Sequence, residues 1–188
     1  MNVTTQRLLL VLGSPRRHGN TEILAETLGE SAQRSGFSVH TVHTAGMNLK
    51  GCTDCRKCWT TGTPCVLKDD MGQIYEELIP ANVVVFASPL YFFSWSSQIK
   101  PVWDRLLPVY TPKSPHDFKG KGTILLSAAG DSDPSAFDGM KLSFKHSANY
   151  LGWRILGEIC ATDVYPVGDI KEKGDWLERA KALGSCLS

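Results

Sequence analysis

Apolar positions along this chain follow two alternating periods. Runs of strand length, at Leu8 to Leu12, Val83 to Ala87, Thr123 to Ser127 and Arg154 to Ala161, alternate with stretches whose apolar side chains recur every three or four residues. Leu8 to Leu12 lacks polar alternation, which predicts a strand buried on both faces. Asn20 to about Arg34 places Ile23, Leu24, Leu28 and Ala32 on one helical face, and Gly36 ends it. Val39 to Val42 is a weaker strand. After a long loop from about Ala45 to Lys68, Asp69 and Asp70 are read as caps of a helix with Met71, Ile74, Leu78 and Ile79 on one face, stopped by Pro80. A short helix is expected from Ser96 or Ser97, because Pro101 is tolerated only in a first turn. Phe137, Met140, Phe144, Ala148 and Leu151 mark a helix behind the turn AAGDSDPS, and Asp175 to Gly184 a terminal one.

Strands and helices in strict alternation, five of each and joined by right-handed crossovers, predict an α/β protein with a three-layer, doubly wound sheet. The pattern alone leaves the strand order open. In such sheets a ligand sits outside the carboxyl ends of the strands, where the order reverses. The loops 13 to 21, 88 to 96 and 127 to 133 are therefore expected to meet there.

Length and composition narrow the function classes. The 188 residues are read as one domain, 1–188. Apolar residues make up 42% and charged residues 21%, with a net charge of +1, so the basic stripe that sequence-independent nucleic-acid binding needs is missing. No nucleic-acid partner is expected. The first apolar run is too short for a signal-peptide core, and no stretch approaches the roughly 18 apolar residues of a membrane span. The chain reads as cytoplasmic, without a membrane partner. In a reducing compartment its six cysteines are thiols or ligands rather than disulfides.

The loop GSPRRHGNTE sits between a strand and a helix and is crowded with donors: Ser14, Arg16, Arg17, His18, Asn20 and Thr21. A helix start offers unpaired N–H groups and the positive end of its dipole, so the ligand read from this loop is a phosphate. The bland alternative is that Asn20 simply caps the helix while the arginines lie in solvent. Neither the dinucleotide fingerprint nor the P-loop is present, and the loop has no cysteine to serve a phosphatase. Pro89, Leu90, Tyr91, Phe92, Phe93 and Trp95 form a flat apolar stretch suited to an aromatic ring system. Cys52, Cys55, Cys58 and Cys65 read C-x-x-C-x-x-C-x6-C, a density of soft ligands that admits a 4Fe-4S cluster, zinc or unligated thiols. Cys160 and Cys186 lack partner spacing and read as structural.

Taken together, GSPRRHGNTE, SPLYFFSWSSQIKPVWDR and GCTDCRKC followed by CVLKDDM resemble the NAD(P)H-dependent FMN reductase family of flavodoxin-like proteins, and most of all its iron-sulfur flavoprotein branch. The resemblance runs from about residue 7 to 131. It implies strand order 2-1-3-4-5 and one FMN. By that resemblance Ser14, Arg16, Asn20 and Thr21 hold the phosphate, with His18 in a variable slot of the motif. Pro89, Leu90, Tyr91, Phe92 and Phe93 border the isoalloxazine, and Ala129, Gly130 and Asp131 complete the rim. Cys52, Cys55, Cys58 and Cys65 correspond to the branch's 4Fe-4S ligands, although the spacing before Cys65 is one residue longer than the family pattern.

No side chain is assigned as catalytic, because the flavin would carry the chemistry. NAD(P)H would be the co-substrate, and a quinone, nitroaromatic or flavin the small-molecule acceptor. The rival reading is an electron carrier working with a ferredoxin-like protein. Trp59, Phe92, Phe93 and Trp95 on one rim would predict a homodimer or homotetramer.

Overall fold

The computed structural model describes residues 5–187. Its core is a five-stranded parallel sheet: β1 (Arg7–Leu12), β2 (Ser38–His43), β3 (Val83–Pro89), β4 (Gly122–Ala128) and β5 (Arg154–Ala161), in order β2-β1-β3-β4-β5. Successive side chains of a strand point to opposite faces. Leu9, Val11, Val84, Phe86 and Leu125 therefore face one helical layer, and Leu8, Leu10, Leu12, Val85, Ile124 and Leu126 the other. The second layer is α1 (Asn20–Arg34) with α7 (Trp176–Ser185). The first contains α3 (Met71–Leu78), α4 (Lys100–Asp104), α5 (Leu107–Tyr110) and α6 (Asp138–Leu151). This is the flavodoxin-like arrangement.

Several elements depart from the sequence reading. The described residues form seven α-helices and two short 3-10 turns rather than five helices. The added α-helices are α2 (Cys58–Thr61), inside the long loop, and α5, which continues the α4 segment after a break at Arg105 and Leu106. Pro101 sits in the first turn of α4, as its missing N–H requires, but the regular helix begins at Lys100. The expected capping is present in part, since Asp69 Oδ1 accepts from Met71 N–H at 3.3 Å. The Asp70 side chain makes no capping bond, and Asp69 turns inward to a guanidinium described below.

Trp95 is a further correction, since it is only 6% exposed. Its ring lies 4.7 Å from that of Trp103, which in turn sits 4.4 Å from Phe86 on β3. Trp95 is core, and the rim of exposed aromatics loses it. Gly13 shows how tightly the α4 segment is pressed on the end of β1: a Cβ there would lie 2.6 Å from Cβ of Ile99. No helix among the described residues is long and apolar enough to cross a membrane.

Candidate functional site

The carboxyl ends of β1, β3 and β4 are tied to one another by three buried serines. Ser96 Oγ donates to Gly13 O (2.5 Å), Ser127 Oγ donates to Ser88 O (2.7 Å), and Ser88 Oγ accepts from Ser96 N–H (3.1 Å). Leu90 N–H adds a bond to Ala128 O (3.1 Å). These bonds hold the three loops around a cavity of about 190 Å³. Ser14, Arg16, Gly19, Asn20 and Thr21 line one end, Pro89, Leu90 and Tyr91 one wall, and Ala128, Ala129 and Gly130 another.

At the polar end the helix start is open. Gly19 is the N-cap of α1 and no side chain caps it; Ile23 N–H is bonded within the helix, to Gly19 O at 3.0 Å. The preceding amides have no place in the helical ladder, and Gly19, Asn20 and Thr21 line the cavity end, where an anion could use such donors. Ser14 folds its hydroxyl over Arg16, accepting from its N–H and meeting its carbonyl, both at 3.1 Å.

Asn20 and His18 are placed differently from the other donors of this loop. The Asn20 amide is engaged across the molecule: Nδ2 donates to Pro166 O (2.9 Å), while Oδ1 accepts from Gly168 (3.0 Å) and Ile170 (3.4 Å) N–H groups. Asn20 is thus a tether for the loop after β5, and what it offers the cavity is backbone. His18 does not line the cavity. Its backbone is left-handed (φ 56°) and its N–H is held by Glu22 Oε2 at 2.6 Å.

The tethered loop supplies a wall that the sequence reading missed, made of Val164, Tyr165 and Val167. Arg16 Nη1 donates to Tyr165 O at 3.3 Å and its guanidinium lies 5.5 Å from the Tyr165 ring centroid. Arg16 is therefore poised at the mouth by a residue 149 positions away.

Phe92, Phe93 and Asp131 border a second, more open hollow that shares Leu90, Ala129, Gly130 and Tyr165 with the first. Tyr91 and Ser94 pair through both backbone bonds, so Phe92 and Phe93 form a two-residue turn with φ of 50° and 63°. Left-handed backbone at a non-glycine costs about 1–2 kcal/mol. The turn nonetheless presents Phe92 98% exposed and Phe93 60% exposed.

Cys52, Cys55, Cys58 and Cys65 line one further cavity, together with Arg56 and Arg105. Burial, followed by the nearby Cys65, Cys55 and Cys52, pushes the Cys58 thiol above its ordinary pKa. A thiol pushed up in this way stays protonated unless a bound cation displaces its proton. The one trio of potential ligands converging within 4.8 Å among the described residues is His18, Glu22 and Glu26. Four soft donors around one cavity are a set that could hold an iron-sulfur cluster or a zinc ion. Cys160 stands apart, its pKa pushed up to about 12 by burial, as suits a structural thiol.

A family model for NADPH-dependent FMN reductases matches residues 6–161. The chain belongs to the NADPH-dependent FMN reductase family. Within and around that family, an iron-sulfur flavoprotein of Archaeoglobus fulgidus is 35% identical over 98 residues, covering 52% of this chain and 44% of the relative. A Bacillus subtilis protein named "Putative NAD(P)H-dependent FMN-containing oxidoreductase YwqN" is 24% identical over 184 residues, covering 95% of this chain and 93% of its own length. The chain spans about half the length of the iron-sulfur flavoproteins it matches, from 44% to 60%. Among solved structures, an NAD(P)H:quinone oxidoreductase from Methanothermobacter marburgensis superposes with a TM-score of 0.74 at 14% identity, covering 97% of this chain and 96% of the other, a likeness of fold.

For this member of the FMN reductase family, Asn20→Ala should act through the wall it tethers. Several hydrogen bonds to loop amides and a carbonyl are lost, at about 1–3 kcal/mol for groups left unpaired. Urea denaturation should register that loss, and hydrogen exchange should speed up at residues 164–170 before any other segment of the cavity.

Proposed function

We propose that this protein is an FMN-dependent oxidoreductase that takes hydride from NAD(P)H and reduces a small acceptor such as a quinone, a nitroaromatic or free flavin. The observation that carries the reading is the uncapped start of α1 opening on a cavity whose other walls are flat side chains and tight backbone. FMN, when bound, supplies two-electron acceptance together with one-electron release. Ser14, Arg16, Thr21 and the first amides of α1 hold its phosphate. Pro89, Leu90, Tyr91, Ala129 and Gly130 orient and desolvate its ring. The open hollow beside Phe92, Phe93 and Asp131 is where nicotinamide and acceptor take turns at the exposed face.

Anaerobic addition of NADPH or NADH to the flavin-loaded protein should bleach the oxidised flavin band, and a band that persists removes the hydride-accepting role. Arg16→Ala should weaken FMN binding on the order of 10- to 150-fold, the equivalent of about 1.5–3 kcal/mol for a charge-assisted contact. An equilibrium flavin titration reads it directly.

We further propose that a second copy of the chain covers Phe92 and Phe93. A strained turn that exposes two phenylalanines is costly to leave in water, and association relieves the exposure. Sedimentation at micromolar concentration should give a dimer or tetramer for the parent and a smaller species for Phe92→Asp.

A second reading, an iron-sulfur flavoprotein passing single electrons to a ferredoxin-like partner, is favoured by the gathering of four thiols around one cavity. Cys55→Ser should then lower the iron content of anaerobically prepared protein sharply while FMN affinity is kept, because the two cavities share no lining residue. Zinc in place of iron would count against a redox role for this loop.

A further inference from the structure

The cysteine cavity contains a cation whose bonding is incomplete. Arg105 has 1% of its side chain exposed and Asp69, its partner, none. Arg105 Nη1 donates to Asp69 Oδ2 (2.6 Å) and to Lys50 O (3.0 Å), and Nη2 donates to Asp69 Oδ1 (2.9 Å). Nε is buried and has no acceptor. The carbonyl of Arg105 is fixed as well, since the Tyr75 hydroxyl donates to it at 2.5 Å. A buried guanidinium N–H without a partner is costly, and this side chain lines the cavity of Cys52, Cys55, Cys58 and Cys65.

We propose that Arg105 is a positioning residue for the cysteine site, its Nε–H donating to the Cys65 sulfur or to a cluster sulfide beside it and thereby favouring the reduced form. This rests on the cluster reading above. Asp69 and Lys50 take both N–H groups of Nη1 and one of Nη2, whereas Nε is the guanidinium nitrogen left buried with no partner at all. Cys65 lines the same cavity as Arg105 and lies four residues before its partner Asp69. Hydrogen bonds and positive charge at the sulfurs raise the potential of an iron-sulfur centre, because they stabilise the added electron.

The geometry also makes the donor rigid. Asp69 Oδ2 accepts from Lys50 N–H (2.8 Å), so one carboxylate and one guanidinium hold the residue that precedes the cysteine run, while Asp69 itself ends the stretch that follows Cys65. Arg105 therefore meets the loop at its closure point, and the direction of Nε does not depend on how the loop interior moves.

Arg105→Lys separates the donor from the charge, since lysine can still neutralise Asp69 but has no group at the Nε position. The protein is reconstituted anaerobically with iron and sulfide, its iron is counted, and the potential is read by dye-mediated titration followed by EPR of the reduced centre. The expected result is unchanged iron content with a potential lower by about 59 mV, a tenfold change in a one-electron equilibrium. An unchanged or higher potential would overturn the proposal while leaving the cluster reading intact. A folded variant that no longer holds iron would also overturn it, in favour of a purely architectural clamp. Parent protein that takes up no iron would overturn the cluster reading and this inference with it. Should the lysine variant fail to fold, D69N/R105M, in which no buried charge is left unpaired, gives the same readout with a larger fall expected.

Discussion

The structure depends on a reversal in winding at the middle of the sheet. All the strands run parallel, so all their carboxyl ends lie along one edge. The chain leaves β1 toward the layer of α1 and α7, but leaves β3 toward the layer of α4 and α6. No crossover can then cover the ends of both strands, and the gap between the diverging connections is the cavity. The serine bonds from Ser88, Ser96 and Ser127 keep that gap from closing or splaying, and Asn20 draws the β5 loop across as its outer wall.

The strands were legible because each is a short apolar run with clear breaks, and the strand order became legible only through the resemblance. The loop 13–21 was legible as a cluster of donors at the cavity end, yet a donor's target was not. Asn20 looks like a ligand group in the sequence, whereas its amide serves Pro166, Gly168 and Ile170. Tyr165 was invisible because it follows a less regular fifth strand and acquires its place only by that contact, outside the stretch of 6–161 that the family model matches. Trp95 was misread because it stands among exposed aromatics in the chain, and only the turn at Phe92 and Phe93 sends it inward. Arg105 and Asp69 carry no local signal at all, being 36 residues apart.

One segment indexes both candidate sites. Ser96 and Ile99 meet the phosphate loop at Gly13, and Arg105, a few residues on, lies in the cysteine cavity. Trp103 between them is wedged against Phe86 and Trp95 in the core. Any electron exchanged between the two cavities would cross a separation set by this packed stretch rather than by loop flexibility, and a constant separation gives a constant tunnelling probability.

The closure of the cysteine loop has an evolutionary side. Asn48 and Asp70 pair through backbone and side chain beneath it, and Lys50 is gripped by Asp69 and Arg105. Above that neck the loop is pinned a second time, where the buried Thr63 donates its hydroxyl to Pro108 O at 2.9 Å. The entropic penalty of one inserted residue in a loop of this size is well under ~0.1 kcal/mol. The cost of a residue inserted just before Cys65 would therefore be set by the packing around Thr63 rather than by chain entropy.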